Sequence, residues 1–214
     1  VKSLKDVLKK GDLIVVESTV PVGTTRSISE FLSDLCPELI FPHQSEKADI
    51  YIAHSPERVL PGNILVELIE NDRVIGGISN VCGEKARELY SLLDIKGQCL
   101  ITTAATAELV KLSENAFRDV NIAFANELSV ICDNLDINPW EAIKLANHHP
   151  RVNILQPGPG VGGHCIAIDP WFIIDSAPKT TELIRTARKV NDAKPGYLAN
   201  KIISSISMQS TKVI

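Results

Sequence analysis

The sequence predicts an α/β chain, with a parallel sheet in its first half and a mainly helical second half. Three observations carry that reading. Over residues 1–102, short apolar runs ending in turn residues alternate with amphipathic stretches, the pattern of parallel strands with helices on their faces. From Thr106 to Leu135 roughly thirty residues pass without Pro or Gly, which predicts one long helix. Residues 103–207 then read as further helices, broken by a single glycine-rich loop. With 44% hydrophobic and 22% charged residues, the 214-residue chain has the apolar content of an ordinary globular protein and can bury a core.

Taken in order, residues 1–10 read as the end of a helix with an amphipathic pattern (Val1, Leu4, Val7, Leu8), stopped by Gly11. Leu13 to Thr19 is an apolar run of the buried-strand kind. It meets the turn Pro21-Val22-Gly23, after which Thr24 or Thr25 can cap a helix through Ile28, Phe31, Leu32 and Leu35. Ser18 and Thr19 therefore lie at the carboxyl edge of a strand, where open α/β sheets bind ligands. Residues 48–53 predict a second strand after a loop over 42–49, Arg73–Gly77 a third and Gln98–Thr102 a fourth, with a helix over about 80–93. The long helix shows more than one apolar face (Ala107, Val110, Phe117, Ile122, Phe124, Leu128, Ile131). At about 45 Å it must bury both sides, which points to a second subunit and a homodimer through 106–135. Asn138-Pro139 opens a helix from Trp140 to Asn147, and two more are expected over 180–191 and 195–207.

Composition excludes several classes. A formal net charge of −4 disfavours binding to nucleic acid or an anionic membrane, and no apolar run approaches the roughly 20 residues of a membrane span. The five cysteines are odd in number, widely spaced and without a metal-ligand pattern, so no metal site is expected and the cytoplasm fits best. Cys36, Cys82, Cys99 and Cys132 read as packing residues. The first residues lack a starter methionine and Lys212-Val213-Ile214 reads like the opening of a strand, so an internal piece of a longer protein is expected.

Chemistry concentrates in Gly158-Pro159-Gly160-Val161-Gly162-Gly163-His164-Cys165. Glycines let the backbone turn tightly, and a thiol at the end of such a loop is accessible, so Cys165 reads as a nucleophile. His164 is no protease-like partner, because neighbouring side chains on extended backbone point opposite ways. Asp169 has two readings, a helix cap ahead of Pro170 or a charge near the thiol. On the long helix Glu108, Lys111, Asn115, Arg118 and Asp119 share a face. That stripe reads either as a solvated, charge-paired surface or as a Lys–Asn pair that handles a proton on an alcohol or tetrahedral oxygen. His148, His149 and Arg151 form a basic cluster suited to an anion such as a diphosphate, or else a surface turn.

Four motifs occur in order: Glu17-Ser18-Thr19-Val20-Pro21-Val22-Gly23, Ser55-Pro56-Glu57-Arg58, Glu108-Leu109-Val110-Lys111-Leu112-Ser113-Glu114-Asn115, and Gly162-Gly163-His164-Cys165 with Asp169. Together they resemble the UDP-glucose/GDP-mannose dehydrogenase family, NAD-dependent enzymes that oxidise a nucleotide-sugar alcohol to a carboxylate. His149-Pro150-Arg151-Val152-Asn153-Ile154-Leu155 and the stretch from Cys165 to Phe172 look most like the branch that acts on UDP-N-acetyl-D-mannosamine.

The resemblance implies that 1–104 are the C-terminal part of a Rossmann-like NAD-binding domain. It also implies that 105–207 are a helical central dimerisation domain and 208–214 the start of a UDP-binding domain. Cys165 would trap an aldehyde, with Lys111 and Asn115 on the oxyanion or the alcohol proton. Asp169 would orient water or Lys111, and Thr19 with Glu57 would activate water. Arg58, Val59, Arg118, His149 and Arg151 would contact the UDP-sugar, Gly162 would leave room for it, and Ser18 and Thr19 would face the nicotinamide of NAD. The sequence departs from the family at Pro61, where UDP-glucose enzymes often carry a second acid, and the family's GxGxxG fingerprint falls outside it. The alternatives are another UDP-sugar (UDP-N-acetylglucosamine or UDP-glucose), a two-electron β-hydroxyacid dehydrogenase, and a non-catalytic dimerisation core.

Overall fold

A computed structural model describes residues 1–58, 62, 64–93 and 95–210. The chain forms two compact units, residues 1–112 and residues 113 onward. No helix among the described residues is long and apolar enough to cross a membrane.

The first unit runs β1 (Leu13–Val16), α1 (Thr24–Leu35), β2 (Tyr51–His54), α2 (Ile64–Glu70), β3 (Arg73–Gly77), α3 (Asn80–Tyr90) and β4 (Cys99–Thr103), and it ends in the first turns of the long helix α4 (Ala104–Asn134). The strands lie in the order β1-β2-β3-β4. Neighbouring residues of β2 face opposite ways, and this splits the core. Ile52 packs with Leu32, Cys36 and Phe41 on the α1 side, while Ala53 packs with Ile75, Ala86 and Tyr90 on the α3 side. Ser79 caps α3 by accepting from the Cys82 N–H at 3.3 Å.

Three sequence expectations need correction. The sheet is mostly parallel, but β2 and β3 run antiparallel through Ala53↔Gly77 and His54↔Gly76. The chain re-enters from the carboxyl end of β2, so Arg73 to Ile75 extend past its tip; apolar periodicity carries no information on strand direction. Residues 1–10 form only a 3₁₀ turn at Lys2–Leu4 followed by turns, although Leu4 and Leu8 do pack on the core. The helix α2 lies where the sequence showed none.

Glu108, in the first turns of α4, sets where α1 begins. Its buried carboxylate accepts from the N–H of Gly23 (2.6 Å), the N–H of Thr25 (2.7 Å) and the Thr25 hydroxyl (2.6 Å). This is a cap on α1 delivered from a distant helix, and it satisfies orphan donors at the positive end of the α1 dipole. Gly76 lets β3 approach α4, since a Cβ there would lie 2.6 Å from the Ala107 Cβ.

The second unit holds the rest of α4, α5 (Pro139–Ala146), α6 (Asp169–Ser176) and α7 (Glu182–Ser210). Asn138 caps α5 with Pro139 at its start. The sequence predicted two helices separated before Pro195, whereas α7 is continuous with Pro195 inside it. A proline removes one i→i−4 bond, and the loss is survivable where neighbours hold both flanks. Here Asn191 and Lys194 are both fixed to α4. The Asn191 amide donates to the Asp119 carboxylate (2.8 Å) and carbonyl (3.0 Å), and Lys194 donates to the Asn126 carbonyl (3.2 Å) and to Ser129.

The same buried network joins Arg188 to Asp119 at 2.7 Å and the Asn126 amide to Asn191 at 2.8 Å. Burial lifts the Asp119 carboxyl above the usual carboxylate range, with Asn191 and Arg188 opposing the rise. Breaking this pair leaves a buried charge without its partner, so Arg188→Ala should destabilise the protein by about 3–5 kcal/mol in urea titrations. A loss under about 1 kcal/mol would show that the network is not structural.

His54 is fully buried, and among the described residues neither ring nitrogen has a hydrogen-bond partner. Burial pushes its pKa below the usual imidazole range, with the Glu108 carboxylate partly opposing this. The unfolded chain therefore takes up a proton near pH 6.5 that the folded chain resists. Stability should be lost as the pH falls from about 6.5, and His54→Leu should flatten that part of the profile. Identical pH profiles for the two proteins would contradict this.

Candidate active site

In the second unit the glycine loop is anchored before it reaches the thiol. The Gly158 N–H donates to the Asn126 side-chain oxygen at 2.8 Å, which ties the loop to the buried network. Gly160 then adopts φ +130°, and a Cβ there would lie 3.0 Å from the Pro195 Cγ and 3.1 Å from the Asn191 carbonyl. A side chain there would be strained by the positive φ and would crowd α7. Gly162 is exposed with open space where a side chain would be.

Cys165 sits exposed on the bend that follows, as a free thiol. Its carbonyl accepts from the N–H groups of Ile168 (3.1 Å) and Asp169 (2.9 Å), so Cys165 lies one turn before α6. Of the other cysteines, Cys36, Cys82 and Cys132 are buried and Cys99 is half-buried. Asp169 does not act as the side-chain cap of α6; it is the first residue of that helix, and Ile168 occupies the cap position. Its buried carboxylate instead accepts from the Asn115 amide at 2.5 Å. That bond connects the segment carrying the thiol to α4.

The charged stripe on α4 is not a solvated surface. Glu108, Asn115 and Asp119 are buried, and each is hydrogen-bonded to a different element (α1, α6 and α7). Lys111 is half-buried one turn before Asn115, and Arg118 is exposed. Arg118 lines a cavity of about 420 Å³ with Phe117, Asn121, Ile122, Asn153 and Leu155. The loop supplying Asn153 is closed by Asn147, which donates to the Ile154 carbonyl (2.9 Å) and accepts its N–H (2.7 Å). His149 and Arg151 are exposed on that loop, where the Arg151 N–H donates to the His149 ring at 3.3 Å.

In the first unit, β1 and β2 end side by side, and their pairing continues past the strands. The Ser55 N–H donates to the Val16 carbonyl (3.0 Å) and the Glu57 N–H to the Glu17 carbonyl (3.2 Å). This brings Ser18 and Thr19 to the same sheet edge as Glu57. Ser18 and Glu57 are exposed and Thr19 is half-buried, at the kind of open sheet edge where α/β proteins bind ligands. The Glu57 carboxylate accepts the Arg58 N–H at 2.8 Å, and the Arg58 guanidinium donates to the Asp72 carbonyl at 3.0 Å. Val59 lies outside the described residues.

Sequence reasoning missed the task of Glu108 and the Asn115–Asp169 bond, and it offered α6 only through one of two readings of Asp169. Pro170 one residue after an aspartate was the available signal for α6. Asn115→Ala would remove the amide that donates to the buried Asp169 carboxylate, so it should lower stability by about 1–3 kcal/mol. Unchanged stability would show that this bond does not form in solution.

Comparison with known proteins gives the geometry a context. Residues 1–94 match the NAD binding domain of the UDP-glucose/GDP-mannose dehydrogenase family, and residues 105–193 match its central domain. The chain is 62% identical to an NDP-N-acetyl-D-galactosaminuronic acid dehydrogenase of Ralstonia nicotianae, over 94% of this chain and 48% of that protein. It is 58% identical to a UDP-N-acetyl-D-mannosamine dehydrogenase of Escherichia coli K12, over 96% of this chain and 49% of that protein. The structure of a UDP-D-ManNAc dehydrogenase from Pyrococcus horikoshii superposes with a TM-score of 0.89 at 42% identity, covering 98% of this chain and 48% of that one. The chain thus spans about half the length of the curated relatives it matches.

Proposed function

Because the chain belongs to the UDP-glucose/GDP-mannose dehydrogenase family, we propose that the protein to which it contributes oxidises UDP-N-acetyl-D-mannosamine to its uronate, a four-electron oxidation with NAD. One observation carries the reading: an exposed thiol on a glycine loop, one turn ahead of an aspartate that Asn115 holds. A thiol so presented suits an aldehyde, which ordinary alcohol dehydrogenation supplies.

The chemistry balances as follows. The C6 alcohol loses a hydride and a proton to give the aldehyde. The Cys165 thiolate adds to the aldehyde carbon, and the resulting thiohemiacetal loses a second hydride and proton to give a thioester. Water cleaves the C–S bond, releasing the carboxylate and returning the thiol. NAD, when bound, accepts each hydride, and Ser18 and Thr19 are the residues assigned to its nicotinamide end. Lys111 and Asn115, one helical turn apart, are assigned to the oxygen that becomes anionic or loses its proton. Asn115 donates one N–H to Asp169, and the same nitrogen carries a second. Asp169 orients water or Lys111, while Glu57 with Thr19 activates the hydrolytic water. Arg58, Val59, Arg118, His149 and Arg151 are assigned to the UDP-sugar, and Gly162 to the space beside it. Guanidinium groups suit the diphosphate. The reaction belongs in the cytoplasm, where a reduced thiol persists.

The 62% identity to the Ralstonia protein favours a second reading, in which the sugar has the N-acetyl-galactosamine configuration. Comparing kcat/KM for the two acetamido sugars separates the readings. In the full-length enzyme Cys165→Ala should lower acid formation by roughly 10³-fold or more, without loss of fold. Full turnover to the acid by that variant would instead favour a two-electron dehydrogenase.

We also propose a homodimer through α4. Phe117, Phe124 and Ile131 recur every seven residues and are 70%, 55% and 46% exposed, an apolar seam suited to a second copy. Sedimentation should give a dimer that Phe117→Asp with Phe124→Asp converts to monomer. A monomeric unaltered protein would contradict the seam.

A further inference from the structure

Around Glu57 the first unit closes a ring of contacts that the proposed chemistry does not use. The Glu57 N–H donates to the Glu17 carbonyl at 3.2 Å, and the Glu57 carboxylate accepts the Arg58 N–H at 2.8 Å. Arg58 reaches the Asp72 carbonyl at 3.0 Å, next along the chain from Arg73. The Arg73 guanidinium lies 4.3 Å from the centre of the Tyr90 ring, and the Tyr90 hydroxyl donates to the Glu17 carboxylate at 2.7 Å. The ring thus returns to the residue whose carbonyl holds Glu57.

Two of its members are buried where their polar groups carry a cost. Arg73 is 7% exposed and lines the crevice shared by Pro56, Glu57 and Arg58; among the described residues its Nε has no hydrogen-bond partner. An arginine desolvated with an unused donor is poor packing material, and a leucine would fill β3 more cheaply. Tyr90 is 5% exposed, and burial pushes its hydroxyl up to about 12 from 10.0. The hydroxyl therefore stays protonated and remains a donor to Glu17 at any working pH. Glu17 itself is exposed at the end of β1, where without that bond its side chain would be solvated and mobile.

We propose that Tyr90 and Arg73 are positioning residues, fixing Glu57 at the sheet edge through Glu17. This rests on the reading that Glu57 activates the water that cleaves the Cys165 thioester. The fold alone needs only an apolar ring at position 90, as its packing against Ala53, Ile75 and Ala86 shows. The hydroxyl and the guanidinium add to that packing a bond to Glu17 and a contact with the ring.

The test uses the full-length enzyme with NAD and UDP-N-acetyl-D-mannosamine. Tyr90→Phe keeps the buried ring and removes the bond to Glu17. Misplacing a catalytic group by a fraction of an ångström should lower kcat about tenfold, with KM falling alongside it and kcat/KM little changed. Acylated Cys165 should accumulate in intact-protein mass spectra during turnover, because only hydrolysis is slowed. Glu17→Ala, an exposed change that folding should tolerate, should reproduce the effect. In a Glu57→Gln background Tyr90→Phe should cost nothing further. An unchanged kcat, a lower kcat without acyl-enzyme, or an additive effect in the Glu57→Gln background would each overturn the inference. Acyl-enzyme in Glu57→Gln but not in Tyr90→Phe would sink it while sparing the role of Glu57. If Glu57→Gln itself turns over normally, the reading of Glu57 fails and this inference fails with it.

Discussion

Within the second unit, the buried contact of α4 with α7 is the constraint on which the rest depends. Asp119 and Asn126 on α4, and Arg188, Asn191 and Lys194 on α7, are all buried and hydrogen-bonded to one another or to backbone. Two helices packed only through Leu and Ala can slide by a turn at modest cost, whereas a buried charge pair has one register. That register fixes where the Asn126 amide oxygen points. The oxygen receives the Gly158 N–H, and so sets where the glycine loop leaves the helices. The proline inside α7 fits the same logic, since Gly160 nests against its ring and the Asn191 carbonyl.

From that anchor the path to the thiol is short. The loop ends at Cys165, whose carbonyl starts α6, and α6 begins with the aspartate that Asn115 holds. Asn115 lies one turn beyond the break between the two units, on a helix whose first turns also carry the carboxylate that caps α1. A single helix therefore bears, in order, a structural acid, a half-buried lysine and the amide that holds the aspartate of the segment carrying the thiol. Glu108, Lys111 and Asn115 look alike in spacing, but their surroundings assign them different work.

Much of this was legible in the residues. Strands and the long helix follow from apolar periodicity, and the exposed thiol follows from four glycines ahead of a cysteine. What stayed hidden was long-range. Nothing near Glu108 in sequence shows that its partners are Gly23 and Thr25, so a polar stripe on a helix read equally well as solvated. Pro195 predicted a break because local propensity ignores partners on another helix, and those partners hold α7 intact. Strand direction in the β2–β3 pair was equally out of reach, since alternation of apolar residues is the same read either way. Tyr90 and Arg73 drew no functional reading because a closed ring of contacts leaves no local signature.

The covalent scheme rests on the proposal that the Cys165 thiol turns one oxidation into two. The most direct measurement counts NADH formed per UDP-N-acetyl-D-mannosamine consumed by the full-length enzyme, with the product identified as acid or aldehyde. The covalent scheme predicts two NADH for each sugar, acid as the product and no free aldehyde. One NADH per sugar, with the aldehyde released, would contradict it.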